Sequence, residues 1–261
     1  VLHCWRGGLR SRSVVALVRA LGLRRAVGLE RGYKGYRELV RAELEHWSPP
    51  PTFVLRGLTG VGKTLVLREL ERLRPGWTLD LEAAAGHRSS ILGSVGLAPV
   101  SQKAFESALA ARLRRGFPGP LVVEGESRKV GDAIIPASLW AALQGGVSIE
   151  LVAPDERRVQ VLVEDYLATE ARRAQLREKL PFLERRLGPR AWAGRLVALL
   201  DERRDEELAA LLLERYYDPL YRHSESRQSY AATIDASDPA HAASEVARWI
   251  AADPAIGEAA G

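Results

Sequence analysis

Methionine is absent from these 261 residues, position 1 included, and cysteine occurs once, as Cys4. One cysteine excludes an intrachain disulfide, and with no Cys/His cluster around it the usual structural zinc sites are excluded too. The missing Met at position 1 carries the expectation of a fragment, a processed chain or a trimmed one. No run approaches the ~20 apolar residues that a membrane-spanning helix needs, so no membrane partner is expected. Val1 to Arg6 show no basic stretch followed by an apolar core, the mark of a secretory signal. These absences lead to the expectation of a cytoplasmic protein. Lysine is also scarce, at five of the 38 basic residues, which reads as a compositional bias toward arginine. What is present is ordinary: 46% hydrophobic and 27% charged residues fit a globular chain rather than a disordered one. The net charge of +5 is uneven, since residues 1–46 hold ten Lys and Arg against four Asp and Glu. A basic N-terminal segment implies an anionic partner, nucleic acid or phosphate.

Residues 1–3 read as the end of a strand, residues 4–11 as a Gly-containing loop, and Ser11 to Leu21 as a helix of apolar period 3.6. A short strand over Ala26 to Leu29 and a helix from Gly32 to Leu44 follow. Trp47-Ser48-Pro49-Pro50-Pro51 is the clearest linker, because three prolines favour an extended spacer. Beyond it strands are expected at Phe53–Arg56, Trp77–Glu82, Leu121–Glu124, Gly146–Val152 and Tyr230–Asp235. Helices are expected at Thr64–Leu73, from the cap Ser101 to Arg115, and from the cap Asp238 onward with Pro239 at its first position. A long helical region from about Asp155 to Tyr217 is expected to break near Pro181 and Gly188-Pro189. Alternating strands and helices define an α/β chain with a parallel sheet covered on both faces.

Gly57-Leu58-Thr59-Gly60-Val61-Gly62-Lys63-Thr64 fits G-x-x-x-x-G-K-[ST], with an apolar strand before it and a helix after it. Its glycines, with Thr59, turn backbone N–H groups onto phosphate oxygens, and the helix N-terminus adds positive potential. Lys63 is placed to reach the terminal phosphates and the Thr64 hydroxyl to hold Mg²⁺. An acid for that metal is sought at the end of an apolar strand. Glu124 and Glu126 are the best candidates, and strand alternation puts them on one side; Asp80 and Glu82 compete with them.

The loop Cys4-Trp5-Arg6-Gly7-Gly8-Leu9-Arg10-Ser11 lies between a strand and a helix. A thiol near a helix N-terminus and near Arg6, Arg10 and Arg12 is biased toward thiolate, the nucleophilic form. Gly7 and Gly8 let the loop wrap its N–H groups around an anionic adduct such as a persulfide, a phosphate or a selenium analogue. The spacing is also the C-x5-R of cysteine phosphatases. His3 is read as structural, and Trp5 either lines the mouth of the loop or packs.

The ordered set CWRGGLRS (4–11), GLERGYKGYR (28–37), the proline linker, GLTGVGKT (57–64), LDLEAAAGHRSS (79–90), SQKAFES (101–107), VEGESRKVG (123–131) and YYDPLY (216–221) resembles the tRNA 2-selenouridine synthase family, a rhodanese domain fused to a P-loop domain. The resemblance runs from Val1 to about Tyr221. It implies a partial rhodanese-like domain over 1–46, a linker over 47–52, and a P-loop NTPase-like domain over 53–261 with a helical insertion at about 155–217. It implies tRNA carrying wobble 2-thiouridine as partner, geranyl diphosphate and selenophosphate as substrates, and a supplier of selenophosphate. Geranylation of the sulfur precedes its replacement by selenium, with Cys4 serving selenium transfer. The P-loop then binds a diphosphate, with Mg²⁺, and ATP or GTP is permitted rather than required. His87, Arg88, Arg128 and Lys129 match family motifs as substrate or tRNA contacts, and Gln102 and Lys103 are similar cases. Tyr216, Tyr217 and Tyr221 are expected to pack rather than stack on bases.

The sequence departs from the family at Gly125, where VEDES-type sequences carry Asp. The rhodanese-like part begins at the strand before its cysteine loop, and 46 residues are few for an independent core. An intact P-loop domain beside a marginal N-terminal part is expected. The competing functional reading is a P-loop small-molecule kinase or ATPase with a vestigial rhodanese segment; a sulfurtransferase or cysteine phosphatase and a tRNA-binding fragment are the others.

Overall fold

The computed structural model describes residues 1–225 and 228–252. The elements run α1 (Leu9–Ala20), α2 (Gly32–Glu45), β1 (Thr52–Arg56), α3 (Lys63–Leu73), β2 (Thr78–Leu79), α4 (Leu81–Ala85), α5 (Gln102–Arg114), β3 (Leu121–Glu124), β4 (Lys129–Val130), β5 (Ala133–Ile134), α6 (Ala137–Gly145) and β6 (Val147–Val152). They continue with α7 (Asp155–Tyr166), α8 (Glu170–Leu187), α9 (Pro189–Trp192), α10 (Arg195–Asp201), α11 (Asp205–Leu212), a π-helical turn over Leu213–Tyr217, α12 (Asp218–Glu225), β7 (Ala232–Asp235) and α13 (Pro239–Ala251).

Five strands form a parallel sheet in the order β2-β3-β1-β6-β7. Strands covered on both faces read as unbroken apolar runs, and Phe53-Val54-Leu55 and Leu121-Val122-Val123 are buried throughout. One face is covered by α3 and α13, through Val66, Leu67, Leu70, Val246 and Ile250. The other is covered by α2, α5 and α6, through Val40, Leu44, Phe105, Leu109, Leu139 and Leu143. A third core, built on Leu176, Leu180, Leu199, Leu208 and Leu212, joins helices α7 to α11 with the segment around Leu92 and Val95. Ligands of open parallel sheets bind beyond the C-terminal strand ends where strand order reverses. Here that point follows β1, the middle strand and the one that feeds the P-loop.

Four features differ from the sequence expectation. The strand after Trp77 is only Thr78–Leu79, because Asp80 caps α4 by accepting from the Ala83 N–H at 2.7 Å. Glu82 therefore sits on a helix, not a strand. Pro181 lies within α8 without ending it; the breaks come at Gly188 and at Ala193-Gly194. Near Leu2 the pairing is a single parallel bridge to Gly28. Helix α6 and the β4–β5 hairpin carry no strong period and were not foreseen.

The N-terminal segment divides in two. Helix α2 is built into the sheet core, and its buried Arg37 ion-pairs with Glu106 and donates to the Lys103 carbonyl and the Ser107 hydroxyl, both at 3.0 Å. Helix α1 buries only Ser11 and Val15 and leaves Leu9, Leu17 and Leu21 in solvent.

Candidate functional site

The P-loop, residues 57–64, opens a cleft of about 220 Å³. Gly57 has φ +133°, and a Cβ there would lie 2.3 Å from the Leu151 carbonyl, so no other residue lets the loop leave β1 this close to β6. Lys63 donates to the carbonyls of Gly57 (2.7 Å) and Leu58 (3.1 Å), so its ammonium lies across the loop it serves. Arg158 of α7 braces the loop from outside. It donates to the Thr59 carbonyl at 2.9 Å while its own charge is held by Asp155 and by a buried pair with Asp218.

Glu82, Glu124 and Glu126 converge on the floor of this cleft, each with a carboxylate oxygen within 4.8 Å of the others'. They come from different elements: α4, the last residue of β3, and the loop two residues beyond. The Thr64 hydroxyl reaches Glu124 at 3.2 Å and Glu82 at 3.4 Å, and Ser89 donates to Glu126. Burial and then the Glu126 charge push the Glu82 carboxyl up to about 8. Burial, followed by Glu82 and Glu126, raises Glu124 well above the ordinary carboxylate range, and burial raises Glu126. Glu124 is 1% exposed and its Oε1 has no partner among the described residues. Three crowded carboxylates with an orphaned buried oxygen, beside a threonine hydroxyl, are a donor set that fits Mg²⁺, a hard cation taking oxygen ligands.

The opposite wall is partly cationic and partly apolar. Arg88 enters the cleft held by Asp165 at 2.9 Å and by the Val95 carbonyl at 3.0 Å, with its guanidinium over the Tyr166 ring. Leu97, Val161, Leu162, Tyr166, Tyr217 and Tyr221 complete the wall. The tyrosine hydroxyls are tied down: Tyr166 to Tyr217 at 2.9 Å, Tyr217 to Ser90 at 3.3 Å, and Tyr221 to the Ser89 carbonyl at 3.0 Å. The wider π-helical turn lets the consecutive Tyr216 and Tyr217 both reach the 89–91 loop, Tyr216 by accepting from the Ile91 N–H at 3.3 Å. Tyr216, Tyr217 and Tyr221 pack, as the sequence suggests, and Tyr217 and Tyr221 also line the cleft, beside Tyr166. Asp165, Ser89 and Ser90 were not singled out from sequence as cleft residues; only the position of Ser89 and Ser90 in the LDLEAAAGHRSS motif hinted at them.

Other predicted residues lie elsewhere. Asp80 caps α4 outside the cleft lining, facing Arg68 at 3.9 Å. His87 packs beside Gly93 and Gly131, where burial lowers its pKa, and its buried Nδ1 is unpartnered among the described residues. Arg128 is exposed, and Lys129 pairs with Asp132 at 3.2 Å. At Gly125 a Cβ would lie 2.9 Å from the Arg56 side chain, which is fixed to Ser148, so an Asp at this position displaces that arginine.

Cys4 lies in a separate place. Its sulfur is 3.3 Å from the Ser11 hydroxyl. That contact, helped by backbone N–H groups of Arg6, Gly8 and Ser11, brings the thiol down to about 6. The loop is clamped to α2, whose Tyr33 and Lys34 N–H groups donate to the carbonyls of Cys4 (3.0 Å) and Trp5 (2.9 Å). Gly32 makes that approach possible, since a Cβ there would lie 2.2 Å from the Cys4 carbonyl. Gly7 of the predicted cradle packs against Gly32, Gly8 stands at the N-cap of α1, and Arg6 and Arg10 are exposed.

The fold and cleft are those of a P-loop protein with an acidic, cation-ready floor, joined to a second, thiol-bearing loop. The match to a family model narrows that class: residues 50–254 match the AAA domain of tRNA 2-selenouridine synthase. Relatives named tRNA 2-selenouridine synthase include one from Chromohalobacter salexigens, 33% identical over 89% of this chain and 69% of its own length. Others are from Cupriavidus pinatubonensis, 32% identical over 87% and 69%, and Cupriavidus necator, 34% identical over 84% and 66%. The chain belongs to the tRNA 2-selenouridine synthase family. Among solved structures, a gluconokinase from Sinorhizobium meliloti 1021 is 19% identical and overlaps 68% of this chain and 99% of that one, at a TM-score of 0.26.

Proposed function

We propose that this chain converts wobble 2-thiouridine of tRNA to 2-selenouridine in two steps divided between its two sites. The P-loop cleft takes the diphosphate of geranyl diphosphate, with Lys63 and the loop N–H groups on its oxygens and the apolar wall of Leu97, Val161 and Leu162 beside it. The thiouridine sulfur forms its bond to the geranyl carbon as the carbon–oxygen bond breaks, the electron pair leaves on diphosphate, and the base loses its N3 proton. Thr64 with Glu82, Glu124 and Glu126 would hold Mg²⁺, which when bound would supply charge neutralisation for that leaving group. Arg88 adds a second fixed positive charge across the cleft.

The Cys4 loop takes selenophosphate. Its thiolate attacks phosphorus, an S–P bond forms, the P–Se bond breaks, and the pair leaves on selenium as selenide. Selenide then displaces geranylthiolate from the base, and water returns the cysteine as thiolate plus phosphate. The observation that carries this reading is the pairing, on one chain of this family, of a phosphate loop flanked by apolar walls with a low-pKa thiol in an N–H-lined loop.

Mass spectrometry of nucleosides after incubation of 2-thiouridine tRNA with this chain, Mg²⁺, geranyl diphosphate and selenophosphate tests it. 2-Selenouridine is the expected product. Unchanged 2-thiouridine from folded protein that hydrolyses ATP would instead favour the small-molecule kinase.

A further inference from the structure

The first 29 residues hold six arginines and no Asp or Glu; Glu30 is the first acid in the chain. A row of rings runs beside them. His3 stacks on Tyr33 with centroids 6.2 Å apart, Trp5 meets Tyr33 at 5.6 Å, and Tyr33 meets Tyr36 at 6.0 Å. Trp5, next in sequence to Cys4, is 49% exposed, and the Lys103 ammonium lies 5.4 Å from its ring centre. An exposed indole in this setting does not serve the core. Its backbone is nonetheless fixed by the Lys34 N–H, and the turn that carries Lys103 is fixed by Arg37. The backbone on both sides of the platform is thus hydrogen-bonded to α2. Among the described residues Arg6, Arg10 and Arg12 have no ion-pair partner, so their charge is available.

The row also leads somewhere. Gln102, next to Lys103, exchanges two hydrogen bonds with Ile134 (2.7 and 2.9 Å), which anchors the β4–β5 hairpin. That hairpin begins at exposed Arg128 and Lys129, directly after Ser127, a residue of the P-loop cleft. Trp5, Lys103, the hairpin and the cleft are thus linked in order by a cation–ring contact, hydrogen bonds and chain connectivity. The acids along the way are Glu106, consumed by Arg37, and Asp132, paired with Lys129.

We propose that this surface docks an unpaired RNA strand, with a base stacked on Trp5 and its phosphates on Arg6, Arg10, Arg12 and Lys103. The strand then follows Arg128 and Lys129 toward the P-loop cleft. Stacking needs an open base face and basic side chains need a phosphate backbone, and only a single-stranded segment offers both without unpairing. The inference rests on tRNA being the substrate and adds which part of the tRNA is held and by which residues. It explains how one nucleotide is served by two sites: the strand stays on the shared platform while its base moves from one to the other.

The test is binding of an anticodon stem-loop RNA with 2-aminopurine at the wobble position, read by fluorescence quenching. The native chain is expected to quench it in a salt-dependent way. Trp5→Ala is expected to weaken binding about tenfold or more, in line with the loss of one base–aromatic stack. Trp5→Phe should restore most of that loss. Lys103→Glu with Arg128→Glu should weaken binding and flatten the salt slope by at least about 1, at about 0.7 per phosphate contact on a single strand. Both of those charges are exposed, so this variant keeps the test alive if Trp5→Ala fails to fold. Equal binding by folded Trp5→Ala and the native chain overturns the proposal and leaves the tRNA reading standing. So does displacement by polyglutamate without any response to Trp5→Ala, which would mark an acidic protein partner. Absence of binding by the native chain to both the stem-loop and whole tRNA would sink the tRNA reading as well, and the two failures are distinguishable.

Discussion

The P-loop cleft and the Cys4 loop treat their own ionisable groups in opposite ways. In the cleft, burial holds Glu82, Glu124 and Glu126 toward their neutral forms, and repulsion from neighbouring carboxylates adds to it at Glu82 and Glu124. At Cys4 a hydroxyl and several N–H groups stabilise the charged form of an accessible sulfur. The difference shows which influence wins where. Carboxylates crowded on a dry floor give a site that is incomplete without a cation, whereas a thiol lined by donors is complete as an anion. The first site favours the entry of a cation, and the second favours a thiolate.

Crossed substitutions should break this comparison most sharply. Cys4→Ser is expected to abolish 2-selenouridine while S-geranylated nucleoside accumulates. Lys63→Ala is expected to cut geranylation by about 10² to 10³-fold, the usual effect of losing one preorganised charge at a developing anion. It should leave the alkylation of Cys4 unchanged. Nucleoside mass spectrometry and thiol alkylation read the two sites separately. If Cys4→Ser also lost geranylation, the two regions would be one site and the contrast would fall.

The next effect concerns the joint between the regions. Glu106→Ala removes the partner of buried Arg37 and should cost about 3 kcal/mol, because an uncompensated charge is left in the interface. Denaturant unfolding should show the loss. If only the near-UV signal from Trp5 and Tyr33 were lost early, α2 would be a separable unit instead of part of the sheet core.

How much of this was legible in the sequence follows the same physics. The parallel sheet and the P-loop were legible because fully buried strands and phosphate turns need particular residues in a row, as in Phe53-Val54-Leu55 and Gly60-Val61-Gly62-Lys63. Glu124 was found for that reason, at the end of an apolar run. Glu82 was found, but on the wrong element, since the cap at Asp80 competes with strand extension and wins. Arg88 was placed through a family motif, and its partner Asp165 lies 77 positions away, beyond any local pattern. Gly32 looked like a helix start; its role is to admit the Cys4 carbonyl, which only the fold reveals. The partnership of Arg37 with Glu106 was equally invisible, because neither residue breaks the polar character of its own helix.

A smaller effect sharpens the carboxylate side. A Glu82 carboxyl raised from 4.5 to about 8 favours the protonated form in the folded chain. Its contribution to stability is complete below pH 4.5 and is lost as pH rises through 8. Metal-free protein should therefore melt a few degrees lower at pH 8 than at pH 5.5. Mg²⁺ should remove most of that fall by favouring the charged carboxylates, and Glu82→Gln should flatten the metal-free profile. A melting point that rises over this range without metal would contradict the crowding described above.

The smallest effect tests the thiol side at a single hydrogen bond. The Ser11 hydroxyl has one proton and two acceptors, the Cys4 sulfur at 3.3 Å and the Gly8 carbonyl at 3.2 Å. With Cys4 ionised, the thiolate is the stronger acceptor and takes the proton; with Cys4 protonated, the thiol can donate to Ser11 while Ser11 turns to Gly8. The serine thus favours the thiolate without blocking the thiol. Ser11→Ala deletes that favour and leaves the backbone donors of Arg6, Gly8 and Ser11 in place. The midpoint of iodoacetamide alkylation against pH should move from about 6 toward, but not to, the ordinary 9.0. A shift of about one unit corresponds to about 1.4 kcal/mol, the size of one hydrogen bond to a charged group. Ser11→Thr should keep the native midpoint. A midpoint of 9.0 in Ser11→Ala would assign the whole effect to the hydroxyl, and an unchanged midpoint would assign it to the N–H groups of the loop.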